Sequence, residues 1–134
     1  MSSAEDYVAY HLDRLRRGHA EAFFGLIEAD PTVLPVLIEA FAKEEDRGIR
    51  AEIVRCVWQY RRPEAVGFLG EALHDSEPAV WQEALDGLVA LGGERAIQAL
   101  QAARARIPVG RAGRAITEEW VEEALEQVRE QATE

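Results

Sequence analysis

The chain has 134 residues, of which 48% are hydrophobic and 30% charged, a balance that fits one folded domain and argues against disorder. Its formal net charge of −10 repels phosphate backbones, so nucleic-acid binding would need a strong local basic patch, whereas a basic protein partner would be steered inward. Cys56 is the single cysteine, which excludes an internal disulfide, and no stretch approaches the ~18 uninterrupted apolar residues of a membrane-spanning helix.

No period-two alternation bounded by hairpin dipeptides occurs; apolar spacings of three and four run throughout, and eight helices are predicted. The first covers 4–17, with Val8, His11, Leu12 and Leu15 on one face, and Gly18 ends it. The second covers 19–29 around Phe23, Phe24 and Ile27. Asp30-Pro31 reads as a cap followed by proline at the first helical position. The third helix runs on to Lys43 with Leu34, Leu37, Ile38 and Phe41 inward, and Pro35 inside it is expected to bend its first turns. The fourth spans 47–60; Arg62-Pro63 opens the fifth, which reaches His74, and 75–78 form a tight turn. The sixth covers 79–91 and stops at Gly92-Gly93, and the seventh covers 94–106. Two glycines and a proline make 107–114 a loop. Thr117 is the expected cap of the eighth helix, Glu118 and Glu119 suit its positive end, and Ile116, Trp120, Val121, Ala124, Leu125 and Val128 form its inward stripe.

The middle of the chain repeats itself. Val36-Leu37, Phe41, Ile49, Ile53, Val57 and Tyr60 recur as Phe68-Leu69, Leu73, Val80, Ala84, Leu88 and Leu91, at an offset of first 32 and then 31 residues. A third, partial copy begins with Ala96-Ile97 and Ala99-Leu100. A repeat of this length holding two helical patterns implies hairpins stacked side by side, none able to bury its apolar face alone. The expected fold is all-α, a short solenoid of about four antiparallel hairpins, with an alternating bundle as the competing layout. Residues 1–134 read as one repeat domain, with 1–30 an N-terminal capping hairpin and 31–61 and 62–92 the best repeats. A partial repeat, a basic loop and an acidic capping helix fill 93–134.

The unit Ala65-Val-Gly-Phe-Leu-Gly-Glu-Ala-Leu73, Asp75-Ser-Glu-Pro-Ala-Val80, Ala84-Leu85, Leu88 and Leu91-Gly92 resembles a HEAT repeat, in particular the short bacterial variety first noted in phycobilisome lyases. The preceding unit resembles it more loosely through Leu34-Pro-Val-Leu37, Ala40-Phe41, Ile49-Arg50 and Ile53. Pro35 stands where such first helices often carry a bending proline, with Gly67 one unit on, and Arg50 fits the basic residue common after the valine that opens the second helix. Trp81 departs from that pattern. The resemblance covers 31–103, since end units that cover an open core must differ. It implies a stack of hairpins serving as adaptor, scaffold or inhibitor, and less often as an enzyme subunit.

Two constellations stand out. Helices four and six carry a second apolar stripe, so Trp58, Trp81, Arg50, Val54 and Leu85 are candidates for a partner-binding concave surface, rich in the residue types that dominate interface hot spots. The alternative is that they fill the joints between adjacent hairpins. Arg104, Arg106, Arg111 and Arg114 form a basic loop without an acid from 104 to 114, a candidate site for phosphate or an acidic peptide. Its alternative is neutralisation by the final helix, where Glu118, Glu119, Glu122, Glu123, Glu126 and Glu130 face Arg129.

No catalytic, metal or cofactor constellation is visible. Cys56 falls on the inward face of helix four, as a small core residue rather than a nucleophile. His11, His19 and His74 lack metal-ligand spacing, and His74 reads as a favourable charge at a helix C-terminus. No signal peptide is visible, so the cytoplasm is expected. The reading is a non-enzymatic protein-binding module, of adaptor or immunity type, with a basic protein as partner and no membrane. A phycobilin lyase or isomerase subunit is the alternative from the resemblance, and a HEAT-like DNA-binding protein a further one that net charge opposes.

Overall fold

Capping residues and prolines set where several of the helices begin. Ser3 and Asp6 form a reciprocal capping box at the start of α1 (Ala4–Arg16). The computed structural model describes residues 3–111 and 113–133. Asp30 accepts from the Thr32 amide at 2.9 Å and opens a 3₁₀ turn at Pro31–Val33, which leads into α3 (Leu34–Lys43). Asp46 accepts from the Ile49 amide at 3.0 Å at the start of α4 (Arg47–Gln59). Proline takes the first position of α5 (Pro63–Ala72) and of α6 (Pro78–Leu91), where its missing N–H costs nothing. Gly92, at φ 63°, ends α6, and α7 (Gly93–Arg106) follows at once. The last helix, α8 (Glu118–Ala132), has Thr117 at its cap position, but the Thr117 side chain makes no capping bond.

Two expectations need correction. The second helix, α2, covers only Ala22–Ile27, because Gly18 at φ 87° and three-residue bonds such as Ala22 N–H to the His19 carbonyl (3.0 Å) hold the stretch before it as turns. Pro35 bends no established helix, since it occupies the first turn of α3, where its absent amide would have had no intrahelical partner.

Among the described residues the eight α-helices pair as four hairpins, α1/α2, α3/α4, α5/α6 and α7/α8, and successive hairpins lie flank to flank. The second members form a continuous row, α2 on α4, α4 on α6 and α6 on α8. Among the first members α1 packs on α3 and α5 on α7, while α3 and α5 meet at the edge-on rings of Phe41 and Phe68, 5.0 Å apart. This is the stacked arrangement, an all-α solenoid, and not the alternating bundle. Its apolar interior divides at that aromatic pair. Val8, Leu12, Leu26, Leu37, Ile53 and Val57 fill the first half; Leu69, Val80, Leu88, Leu100, Ile116 and Val128 fill the second. Equivalent residues of successive repeats, Ile53 and Ala84 or Val57 and Leu88, are fully buried, as the periodicity requires.

Candidate functional site

Arg50 and Trp81 stand one repeat apart at the opening of α4 and α6. Arg50 donates from Nη1 to the carbonyls of Phe41 and Glu44, each at 3.0 Å, and so caps the end of α3. Its Nη2 pairs with Asp75 in the turn of the next hairpin, and the guanidinium lies 4.1 Å from the Phe41 ring centre. Trp81 does the same work with different chemistry. Its Nε1 donates to the Arg114 carbonyl at 2.8 Å, tying the loop before α8 to α6, and its ring meets Trp120 edge-on at 5.5 Å. Only 4% of Trp81 is exposed. Val54 and Leu85 are buried as well. The joint-filling alternative therefore describes these residues: Trp81, Val54 and Leu85 lie inside because α4, α6 and α8 each need apolar surface toward a neighbour as well as toward their own hairpin partner. Arg50 is a strut between units.

Trp58 is half-buried and bridges α4 to α6. Its indole lies against Gly87, where an added Cβ would stand 2.6 Å from Cδ1, and its Nε1 donates to Glu83 Oε1 at 3.2 Å. Of the five expected docking residues, only Trp58 and Arg50 keep partial exposure.

What the row of second helices leaves open is a different set. On α2, Phe24 is 56% exposed, and on α8 Trp120, expected on the inward stripe of its helix, is 45% exposed. Between them lie exposed Arg55 on α4, exposed Gln82 and Asp86 with half-buried Glu83 on α6, and exposed Glu119 and Glu123 on α8. A cleft of about 360 Å³ opens where α2 meets α4, floored by Leu15, Phe23, Phe24 and Ile49 and edged by Glu52 and Arg55. Arg55 is occupied: it lies 4.2 Å from the Phe23 ring centre and 3.8 Å from Glu52. Burial pushes the carboxyls of Glu83 and Asp86 above their usual range. Among the described residues neither stands in an ion pair. The sequence offered a signal for Glu83 and Asp86 only in the net charge and for Glu123 in the acidic run of the final helix, and none for the exposure of the two aromatics.

The basic loop is engaged residue by residue. Arg104 pairs with Glu122 at 2.6 Å, Arg106 with Glu71 at 3.1 Å and Arg114 with Glu77 at 3.0 Å, while Arg111 donates to the Ile116 carbonyl at 3.3 Å. Neutralisation thus comes from α5 and the turn before α6 as much as from the final helix. Cys56 is buried, and its thiol is pushed up to about 12 by that burial, so it is no nucleophile. Burial also lowers the pKa of His74, and among the described residues its Nε2 has no partner, so His74 is not the favourable helix-end charge expected of it. Among the described residues no three His, Cys, Asp or Glu side chains are grouped to hold a metal ion, and no helix is long and apolar enough to cross a membrane.

A stack of hairpins with equivalent residues buried at equivalent positions is the structure a repeat family would produce, and the sequence profile of the HEAT repeats matches residues 34–119, more than half of the chain. The chain belongs to the HEAT-repeat family. HEAT repeats are generally protein-interaction modules and their fold is typically non-catalytic. No curated protein and no solved structure matches the chain.

Proposed function

We propose that this HEAT-repeat chain is a non-enzymatic protein-binding module of adaptor, scaffold or immunity type, working in the bacterial cytoplasm on a basic partner protein. One observation carries the reading. The open face of α2, α4, α6 and α8 exposes two large aromatics, Phe24 and Trp120, on either side of a field of carboxylates that includes Glu83 and Asp86. Exposed aromatics supply the anchors of protein interfaces, and an acidic field steers and orients a cationic partner. The earlier candidates Arg50, Trp81, Val54 and Leu85 support that face from beneath.

The test is affinity capture from the native cell with the wild-type chain and with a variant carrying Asp86→Arg, Trp120→Ala and Glu123→Arg. The expected result is a defined protein retained by the first and lost by the second. Retention by both, or loss that a Glu64→Arg change on α5 reproduces equally, overturns the assignment of the face. The runner-up, a phycobilin lyase or isomerase subunit, rests on the resemblance of the 62–92 repeat to the short bacterial variety. A visible-band shift on mixing the chain with bilin would support it.

A further inference from the structure

The open face of the second helices has chemistry specific enough to name what a partner must present, if that face is the binding surface. We infer that it accepts one segment of a partner protein that combines arginine with a large aliphatic side chain, the aliphatic group seated in the cleft between α2 and α4 and the guanidinium between Trp58, Glu83 and Asp86. The cleft of about 360 Å³ is floored by Phe23, Phe24, Leu15 and Ile49, so it favours an apolar occupant large enough to displace water from those rings. One helix further along the row the chemistry changes. Glu83 spends Oε1 on the Trp58 indole, and Asp86 lies one turn on, at the spacing that puts two side chains side by side. Both carboxyls are partly desolvated, yet the nearest cation, Arg55, is held by Glu52 and the face of Phe23.

Arginine suits this place better than lysine. Its planar fork donates to two carboxylates at once and stacks on an indole, whereas an ammonium is a compact, strongly hydrated point charge. Adjacent helices in a stack lie ~8–10 Å apart, so the apolar side chain and the guanidinium belong about three residues apart in an extended segment.

Capped peptides of repeated Leu-Ala-Ala-Arg, of the same repeat with Lys for Arg, and of the same repeat with Ser for Leu provide the probe. Calorimetry at moderate salt is expected to show the arginine peptide binding about tenfold tighter than the lysine peptide and than the serine peptide. Glu83→Gln combined with Asp86→Asn keeps the acceptor for Trp58 and should erase the arginine preference. Glu119→Gln combined with Glu123→Gln should weaken both cationic peptides equally and leave the preference intact. Equal affinity for arginine and lysine peptides, no binding at all, or equal effects of the two double variants would overturn the inference. Those results would leave the capture experiment untouched, because a partner lost with Asp86→Arg, Trp120→Ala and Glu123→Arg would still place binding on this face.

Discussion

Gly87 is a residue whose importance comes from what lies against it, and Gly87→Ala tests the packing between α4 and α6. Alone in an exposed helix, this change would stabilise by about 1 kcal/mol, because alanine is the better helix former. Here the new Cβ would stand 2.6 Å from Trp58 Cδ1, 2.8 Å from Cγ and 3.1 Å from Cβ. Those atoms are the base of the indole and not a flexible tip, so the whole ring must shift. Overpacking of this kind costs ~1–3 kcal/mol, and displacing the ring also strains the bond to Glu83, worth about 1 kcal/mol. The net expectation is a loss of about 2 kcal/mol once the helix gain is deducted. For a chain of this size that lowers Tm by about 6–10 °C. With Trp58→Ala in place the clash disappears, and the same Gly87→Ala should then stabilise by about 1 kcal/mol. Urea unfolding followed by far-UV circular dichroism on the four members of the cycle measures this change of sign. Additive effects, or a Gly87→Ala protein as stable as wild type, would refute the assignment of Trp58 to this contact.

Trp81→Ala is expected to cost ~3–5 kcal/mol by chemical denaturation, since it empties a buried site and strips the Arg114 carbonyl of its donor; a loss below about 1 kcal/mol would return Trp81 to the surface. Arg50→Met leaves two carbonyls and the Asp75 carboxylate without their cation, and a drop of about 2–4 kcal/mol is expected in the same assay; no drop would remove Arg50 as a strut. The raised carboxyl of Glu83 has a defined sign in a pH series. Its folded state holds the proton more tightly than the unfolded chain does, so ionisation destabilises the fold above the folded pKa, and that penalty is relieved as pH falls through it. Glu83→Gln should therefore raise Tm at pH 7, with the gain shrinking toward zero at acidic pH; a variant less stable than wild type at pH 7 would show that the charge is already compensated. The lowered pKa of His11 works oppositely: its unfolded form takes up the proton first, so stability declines as pH drops below about 6.5. His11→Phe should flatten that part of the curve, and an unchanged slope would assign it elsewhere.

Much of the architecture was legible because it is local. The starts at Asp30-Pro31 and Pro63 followed from residues that satisfy or remove an end amide without reference to distant residues. The stack followed from the recurrence of Ile49, Ile53 and Val57 as Val80, Ala84 and Leu88, since one buried position per repeat reproduces itself in the next. The length of α2 was not legible, because its first residues have helical composition but are held as turns by Gly18.

The sequence by itself determined that these residues make helices, that the helices pair, and that the pairs stack, because periodicity and capping act within a few residues. It also determined that the surface would be acidic. Only the tertiary structure decided which apolar side chains lie in joints and which meet solvent. A helix between two neighbours carries apolar residues on more than one face, and a wheel cannot separate an inner joint from an open surface. Trp81 is interior because an acceptor 33 residues further along reaches its indole nitrogen, whereas Phe24 and Trp120 are exposed because their helices leave them uncovered at the rim of the row. The difference lies in what stands next to each ring, and that is a property of the assembled stack.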